Sequence, residues 1–285
     1  MRTGIRTGKT HNLRDTTLIK LGGRAAADRE SLAALIDEIT LLVQDSRPVV
    51  LVHGGGAEVS ALSEKLGMKA VFENGIRMTS PDEMDVVDMV LSGRVNSYLV
   101  RSLCSRGIAA VGMRGSDASS LIGMAITDPE GNPSHTGKPA RTNPALLTTL
   151  LNSGYVPVVS PTAMDEQGRA LNINADESAL ALAEALSVDT LLFLSDVPGV
   201  LDMRERPDAT RIPRITPADA DRLIHDGVVT GGMIPKVESA LHALGSGVRR
   251  VVIGRYEQKG DLQALMQGQA GTAIMQAEQD GGHDE

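Results

Sequence analysis

The sequence predicts an α/β protein: a mainly parallel sheet covered by helices on both faces. Three observations carry that prediction. Short apolar runs without polar alternation recur at residues 17–21, 48–52, 156–160, 190–194 and 249–253, as strands buried on both faces require. Between them lie segments whose apolar residues repeat at helical spacing. Two of the runs also end directly in glycines that open a helical pattern, Lys20-Leu-Gly-Gly23 and His53-Gly-Gly-Gly56.

Taken in order, the first strand at 17–21 precedes a helix over 29–44 with Leu32, Leu35, Ile36, Ile39 and Val43 on one face. A second strand at 48–52 leads through its glycine turn into a helix over 57–66. Residues 69–79 read as a hairpin turning at Glu73-Asn74-Gly75. In Ser80-Pro81-Asp82-Glu83, a serine cap, a proline at the first helical position and a glutamate three residues after the cap start a helix that runs to about Ser105. A strand is expected at 109–112, a hairpin excursion within 113–141, a helix over 143–152 and a strand at 156–160. The turn Asp165-Glu166-Gln167-Gly168 returns as a strand at 170–173 and leads to an alanine-rich helix over 175–186. A lobe boundary is expected at 187–189. Beyond it come a strand at 190–194, helices over 217–226 and 236–244, a central strand at 249–253 and an edge strand at 273–275.

Composition narrows the function. The 285 residues are 41% hydrophobic but only 2% aromatic, with no Trp, so the core is built from Leu, Val, Ile, Ala and Met. So few aromatics argue against base-stacking nucleic-acid modules. A formal net charge of −8 argues against a general basic face for nucleic acid or anionic membrane. An anion site on such a chain has to gather cations locally, which singles out Lys20, Arg77 and Lys236. The single cysteine, Cys104, permits no intrachain disulfide or cysteine-cluster metal site and fits a reducing, cytoplasmic compartment. No apolar run approaches the roughly 20 residues of a membrane span. Residues 1–16 are basic without an apolar stretch and read as a flexible arm; 276–285 read as a flexible tail.

The glycine loops suit a polyphosphate, because bare backbone N–H groups and helix N-termini attract anions. Each alone is equally a tight packing turn; two of them on the C-terminal edge of one sheet place donors where open α/β sheets bind ligands. Gly4-Ile-Arg-Thr-Gly8-Lys9-Thr10 resembles a P-loop but has three residues between its glycines where four are needed. Lys236 closes Thr230-Gly-Gly-Met-Ile-Pro-Lys236, and a lysine at each end of such a site can neutralise a phosphoryl group in flight. Arg77 is either a solvated hairpin residue or a bidentate grip on a carboxylate. In Asn172-Ile-Asn-Ala-Asp176, the asparagines cap or turn the chain, and Asp176, about one helical turn on, could anchor the lysines.

Together, Lys20–Gly23, His53–Gly56, Asn74-Gly-Ile-Arg77, Asn172–Asp176, Ser195-Asp-Val-Pro-Gly-Val-Leu201 and Gly231–Lys236 resemble the amino acid kinase family over residues 17–275, most closely its members that act on N-acetyl-L-glutamate. The resemblance implies a three-layer αβα sandwich, with an N-terminal lobe (17–188) that binds the acyl amino acid and forms a homodimer contact. A C-terminal lobe (189–275) would bind ATP, with Mg²⁺ carried by the nucleotide and no dedicated metal site. Lys20 and Lys236 would stabilise the transferring phosphoryl group, and Asp176 would organise them. Gly22, Gly23, Gly55 and Gly56 would supply backbone N–H groups, and Arg77 and Asn172 would hold the substrate α-carboxylate. Asp196, Val197, Pro198, Gly199, Val200 and Leu201, with Val228, Val229 and Thr230, would cradle the nucleotide. Residues 113–141 follow the family pattern loosely, with Arg114 and Ala118 unusual. Residues 1–16 lack the apolar anchors, and 260–265 the histidine, expected of arginine-sensitive members, which favours an unregulated dimer. N-succinylglutamate or acetyl-aminoadipate as acceptor, and a non-catalytic metabolite sensor on the same fold, are the alternative readings.

Overall fold

A computed structural model describes residues 13–22, 29–73, 75–128, 131–202, 204 and 209–277. The P-loop-like stretch at 4–10, Gly23, Asn74 and residues 278–285 lie outside the described residues.

Strand β1 (Thr17–Leu21) leads to helix α1 (Arg29–Gln44), strand β2 (Val49–His53) and helix α2 (Gly56–Lys65). The hairpin of β3 (Val71–Glu73) and β4 (Ile76–Met78) follows, as expected. Helix α3 (Pro81–Val87) continues through a π-helical stretch, Asp88–Val95, into α4 (Asn96–Cys104). Then come β5 (Ala110–Arg114), β6 (Leu121–Thr127), β7 (Pro133–Thr142), α5 (Ala145–Asn152), β8 (Val156–Ser160), β9 (Thr162–Met164), β10 (Ala170–Ile173) and α6 (Ala175–Leu186). The remainder holds β11 (Thr190–Ser195), the short strands β12 (Leu201–Asp202), β13 (Thr210–Arg211) and β14 (Arg214–Ile215), α7 (Pro217–His225), α8 (Ile234–Gly245), β15 (Arg250–Arg255), α9 (Asp261–Met266) and β16 (Thr272–Met275).

Eight strands form the central sheet in the order β14-β16-β15-β11-β1-β2-β8-β5. Every neighbouring pair is parallel except β15–β16. The strand expected at the edge, 273–275, is interior instead: β16 lies between β15 and the two-residue β14, which is too short to leave a sequence signal. Strand alternation divides the core into two layers. Leu18, Val50, Val52, Leu191 and Val251 face Leu147 and Leu151 of α5, Leu182 and Ala183 of α6 and Ala240 of α8. Ile19, Val49, Leu51, Leu192 and Val252 face Leu35, Ile36 and Ile39 of α1, Leu99 and Leu103 of α4 and Leu265 of α9. Full burial of such a side chain contributes about 1.5–3 kcal/mol, and with both faces so covered the strands read as unbroken apolar runs.

The excursion between β5 and α5 is the expected hairpin, β6–β7, but it does not stand alone. With β9 and β10 it closes a four-stranded ring, in which β6 pairs with β7 and β9, and β10 with β7 and β9.

His53, the last residue of β2, is pegged beneath its own glycine loop. It is 1% exposed; Asn96 Nδ2 donates to its Nε2 at 3.1 Å, so Nδ1–H donates to the Gly54 carbonyl at 2.8 Å. Asn96 also donates to the Val158 carbonyl of β8, at 2.8 Å. Burial pushes the His53 pKa down to about 4, the Gly54 contact opposing part of that shift. The folded protein thus binds this proton less readily than the unfolded chain. Stability is complete above about pH 6.5, the unfolded value, and falls as the pH drops towards about 4, by about 3 kcal/mol. His53→Gln, which cannot titrate, should remove that part of the slope. Denaturant unfolding of both proteins from pH 7 to pH 4 checks this; parallel curves would show that the imidazole gains its proton without cost.

Candidate active site

The chain order reverses at β1: β2, β8 and β5 extend the sheet to one side, β11 and β15 to the other. Crevices at such switch points, beyond the C-terminal strand ends, are where open α/β sheets take ligands. Lys20 sits near that end of β1, in register with Val52 of β2 and Phe193 of β11. Its ammonium lies 2.8 Å from Asp176 Oδ1, an ion pair in which the lysine side chain is 15% and the aspartate 41% exposed. Oδ1 itself is enclosed and meets the ammonium without hydrogen-bond alignment. Asp176 stands in the first turn of α6, capped by Asn174, whose Oδ1 accepts from the Asp176 amide at 2.7 Å. The cap is therefore Asn174; Asn172 lies on β10.

Gly22 leaves open the space that Lys20 and the end of β11 occupy. A Cβ there would overlap Lys20 Nζ and come within 2.9 Å of the Leu194 carbonyl oxygen. The same fact locates the ammonium over the end of β11. Lys236, in the first turn of α8, donates from Nζ to Ser195 Oγ at 3.0 Å. Ser195 directly follows Leu194, so the two lysines, from opposite ends of the sequence, converge on the ends of two adjacent strands, about 4.8 Å apart.

The second glycine loop faces the same crevice. Gly54 N–H donates to the Leu21 carbonyl at 3.3 Å, joining the two loops. Gly55 caps α2 at φ 150°, a conformation that favours glycine, and Gly56 begins the helix. First-turn amides have no intrahelical acceptor and so present donors to an anion. A cavity of about 380 Å³ lies behind this loop, between Arg29, Leu32, Glu58, Arg94 and Tyr98, rather than at the lysines.

Asn172 is tied to the chain two residues beyond Arg77. Asn172 Nδ2 donates to Thr79 Oγ1 at 3.0 Å, and Thr136 Oγ1 donates to the Arg77 carbonyl at 2.6 Å, which fixes β4 against β7 and β10. Arg77 is not the solvated residue of one sequence reading: it is 8% exposed. Nor is its guanidinium open: it pairs with Glu83 and donates to Ser60 and to the Gly56 carbonyl.

On the β11 side, Asp196 and Thr230 are exposed and Val197, Pro198 and Leu201 half-buried. Val200, Val228 and Val229 are 0%, 0% and 2% exposed and their amides are bonded within the protein, so they shape the loop rather than present groups to a ligand. Thr272 holds this loop: its Oγ1 accepts from the Val200 amide at 2.8 Å and donates to the Ile212 carbonyl at 2.7 Å. Glu177, beside Asp176, has its carboxyl pushed up by burial, an effect that Lys138 opposes and Asp176 reinforces. Sequence reasoning gave no site role to Ser195, Ser60 or Glu83, the last read only as part of the helix start at Ser80. Ser195 lay inside a quoted motif; the other two are recognisable only through their contact with Arg77.

Residues 15–255 match the model of the amino acid kinase family. A Synechococcus protein named acetylglutamate kinase is 42% identical over 263 residues, covering 90% of this chain and 88% of its own. A Methanopyrus kandleri protein of the same name is 40% identical over 261 residues, covering 90% and 99%. Among solved structures, carbamate kinase from Giardia lamblia bound to AMP-PNP superposes with a TM-score of 0.68 at 19% identity, covering 92% and 99%, a likeness of fold. With its doubly covered parallel sheet and glycine loops at the switch point, the chain belongs to the amino acid kinase family.

Proposed function

We propose that the protein transfers the γ-phosphoryl group of ATP to the side-chain carboxylate of N-acetyl-L-glutamate, giving an acyl phosphate for arginine biosynthesis. The observation that carries this reading is the convergence of Lys20, Asp176 and Lys236 on the ends of β1 and β11, next to β2, whose glycine loop opens α2. The names of the two relatives, similar over nearly their whole lengths, support the acceptor.

A carboxylate is already a nucleophile at neutral pH, so the reaction needs no general base. Its obstacle is repulsion between two anions: unit charges about 4 Å apart cost roughly 4 kcal/mol at an effective dielectric of 20. In the proposed mechanism Lys20 and Lys236 offset that charge, and Asp176 holds Lys20 in place. The amides of Gly22, Gly55 and Gly56 complete the cradle and keep the reactants in line. Arg77 and Asn172 hold the acceptor's α-carboxylate. The loops 196–201 and 228–230 seat the nucleotide. Mg²⁺ is carried by the ATP phosphates and water in this reading. The same reading assigns the acyl amino acid and a homodimer contact to an N-terminal lobe (17–188), ATP to a C-terminal lobe (189–275), and the protein to the cytoplasm.

An ADP-release assay across N-acetylglutamate, N-succinylglutamate, glutamate, aspartate and acetyl-aminoadipate, with and without arginine, tests the function. N-acetylglutamate should give the highest kcat/KM; absence of turnover with every acceptor would favour a sensor. Lys236→Ala should lower kcat by about a hundredfold or more, the scale of losing one preorganised donor; near-normal turnover would remove it from the mechanism. Thr272→Val leaves the Val200 amide without its acceptor and should raise the KM for ATP several-fold, with the KM for the acceptor little changed. It should also lower stability by about 1–3 kcal/mol. Initial rates and denaturant unfolding read both effects.

A further inference from the structure

Arg77 already holds a carboxylate. Its Nη1 lies 2.5 Å from Glu83 Oε1, and the two side chains are 7% and 6% exposed. Nη2 donates to Ser60 Oγ at 2.5 Å and to the Gly56 carbonyl at 3.3 Å, while the Phe72 ring covers the guanidinium at 4.7 Å. A guanidinium grips a carboxylate in bidentate fashion along one of two edges, Nη1 with Nη2 or Nε with Nη2. Both edges pass through the engaged Nη2, and the first also carries Glu83.

The start of α3 puts Glu83 there. Ser80 Oγ accepts from the Glu83 amide at 3.2 Å, with Pro81 at the first helical position. The pattern Ser-Pro-Asp-Glu announces a reciprocal capping box, in which the glutamate would reach back to the serine amide. Its carboxylate turns to Arg77 instead. A better side-chain donor has outcompeted the helix end.

We propose that Glu83 is the resting partner of Arg77 and a built-in competitor of the acceptor's α-carboxylate, and that it thereby sets the affinity for the acceptor. This rests on the reading of Arg77 as the acceptor grip. A buried guanidinium without an anion is strongly unfavourable, so the empty protein needs Glu83. The same carboxylate cancels the charge that an arriving anion would otherwise meet, and two carboxylates on one guanidinium repel each other. Binding therefore requires the acceptor to displace Glu83 or to share the fork with it.

Glu83→Gln keeps the shape and a hydrogen-bonding oxygen but removes the charge. The KM and dissociation constant for N-acetylglutamate should fall about tenfold, with the KM for ATP within about twofold of wild type. In an Arg77→Ala background the same substitution should leave acceptor affinity unaltered, since the competition has lost its object. Thermal unfolding gives a reading independent of turnover: without acceptor the variant melts lower than wild type, and N-acetylglutamate raises its Tm by more. Acceptor affinity that is unchanged or weakened in Glu83→Gln, with wild type responding to N-acetylglutamate, overturns the role of Glu83 and leaves the proposed function standing. A wild-type protein that neither turns over N-acetylglutamate nor is stabilised by it overturns both.

Discussion

The Lys20–Asp176 ion pair is the contact on which the rest of the site depends. A lysine at the end of a central strand has a long, mobile side chain and a strong preference for water. Here the carboxylate from the first turn of α6 fixes one side of it and the bare backbone of Gly22 admits it on the other. The ammonium is thus held over the junction of β1 and β11, beside the residue that receives Lys236. Helix α6, strand β1 and helix α8 share one hydrophobic layer, so the packing that stabilises the sheet also sets the positions of the charged groups.

Polar contacts divide the crevice into two unlike walls. On the β11 side the anchors are hydroxyls, Ser195 and Thr272, bonded to one ammonium and to the backbone. On the β4 side a buried charge pair, Arg77 with Glu83, is tied to the first turn of α2 through Gly56 and Ser60. The first kind of anchor is neutral and leaves the field of the lysines intact. The second neutralises its own cation while no ligand is present. In the proposed function the first wall attracts a polyanion steadily, and the second discriminates a partner that must compete for its place.

Much of the fold was legible in the sequence because strands buried on both faces leave unbroken apolar runs, and glycines after them mark the ligand edge. Ser80-Pro81 marked the start of α3 correctly. The sequence was silent where physics leaves no local trace. The π-helical turn at Asp88–Val95 keeps the apolar spacing of an α-helix, yet it ends at the Asn96 that reaches β8 and His53. Closure of the four-stranded ring depends on a bridge between distant segments, Ile122 and Met164. Within the site, motif residues were recognisable as a set, but their partners were not. Asn174 and Asn172 carry the same side chain, and only backbone geometry decides which one caps the helix. Glu83 satisfied a helix-start pattern and went elsewhere, since a guanidinium 2.5 Å away outweighs a main-chain amide.

The position of β1 has a consequence for biosynthesis. Made before either neighbour, it needs β2 on one flank and β11, starting at residue 190, on the other. Until the later strand is made, one margin of an almost wholly apolar ribbon has no hydrogen-bonding neighbour. Such unpaired margins invite association between nascent chains. Arrival of β11 closes that margin, and the segment that follows it carries Lys236 to Ser195 at the end of the same strand, so the strand that protects β1 from aggregation is also the one that brings the far lysine near.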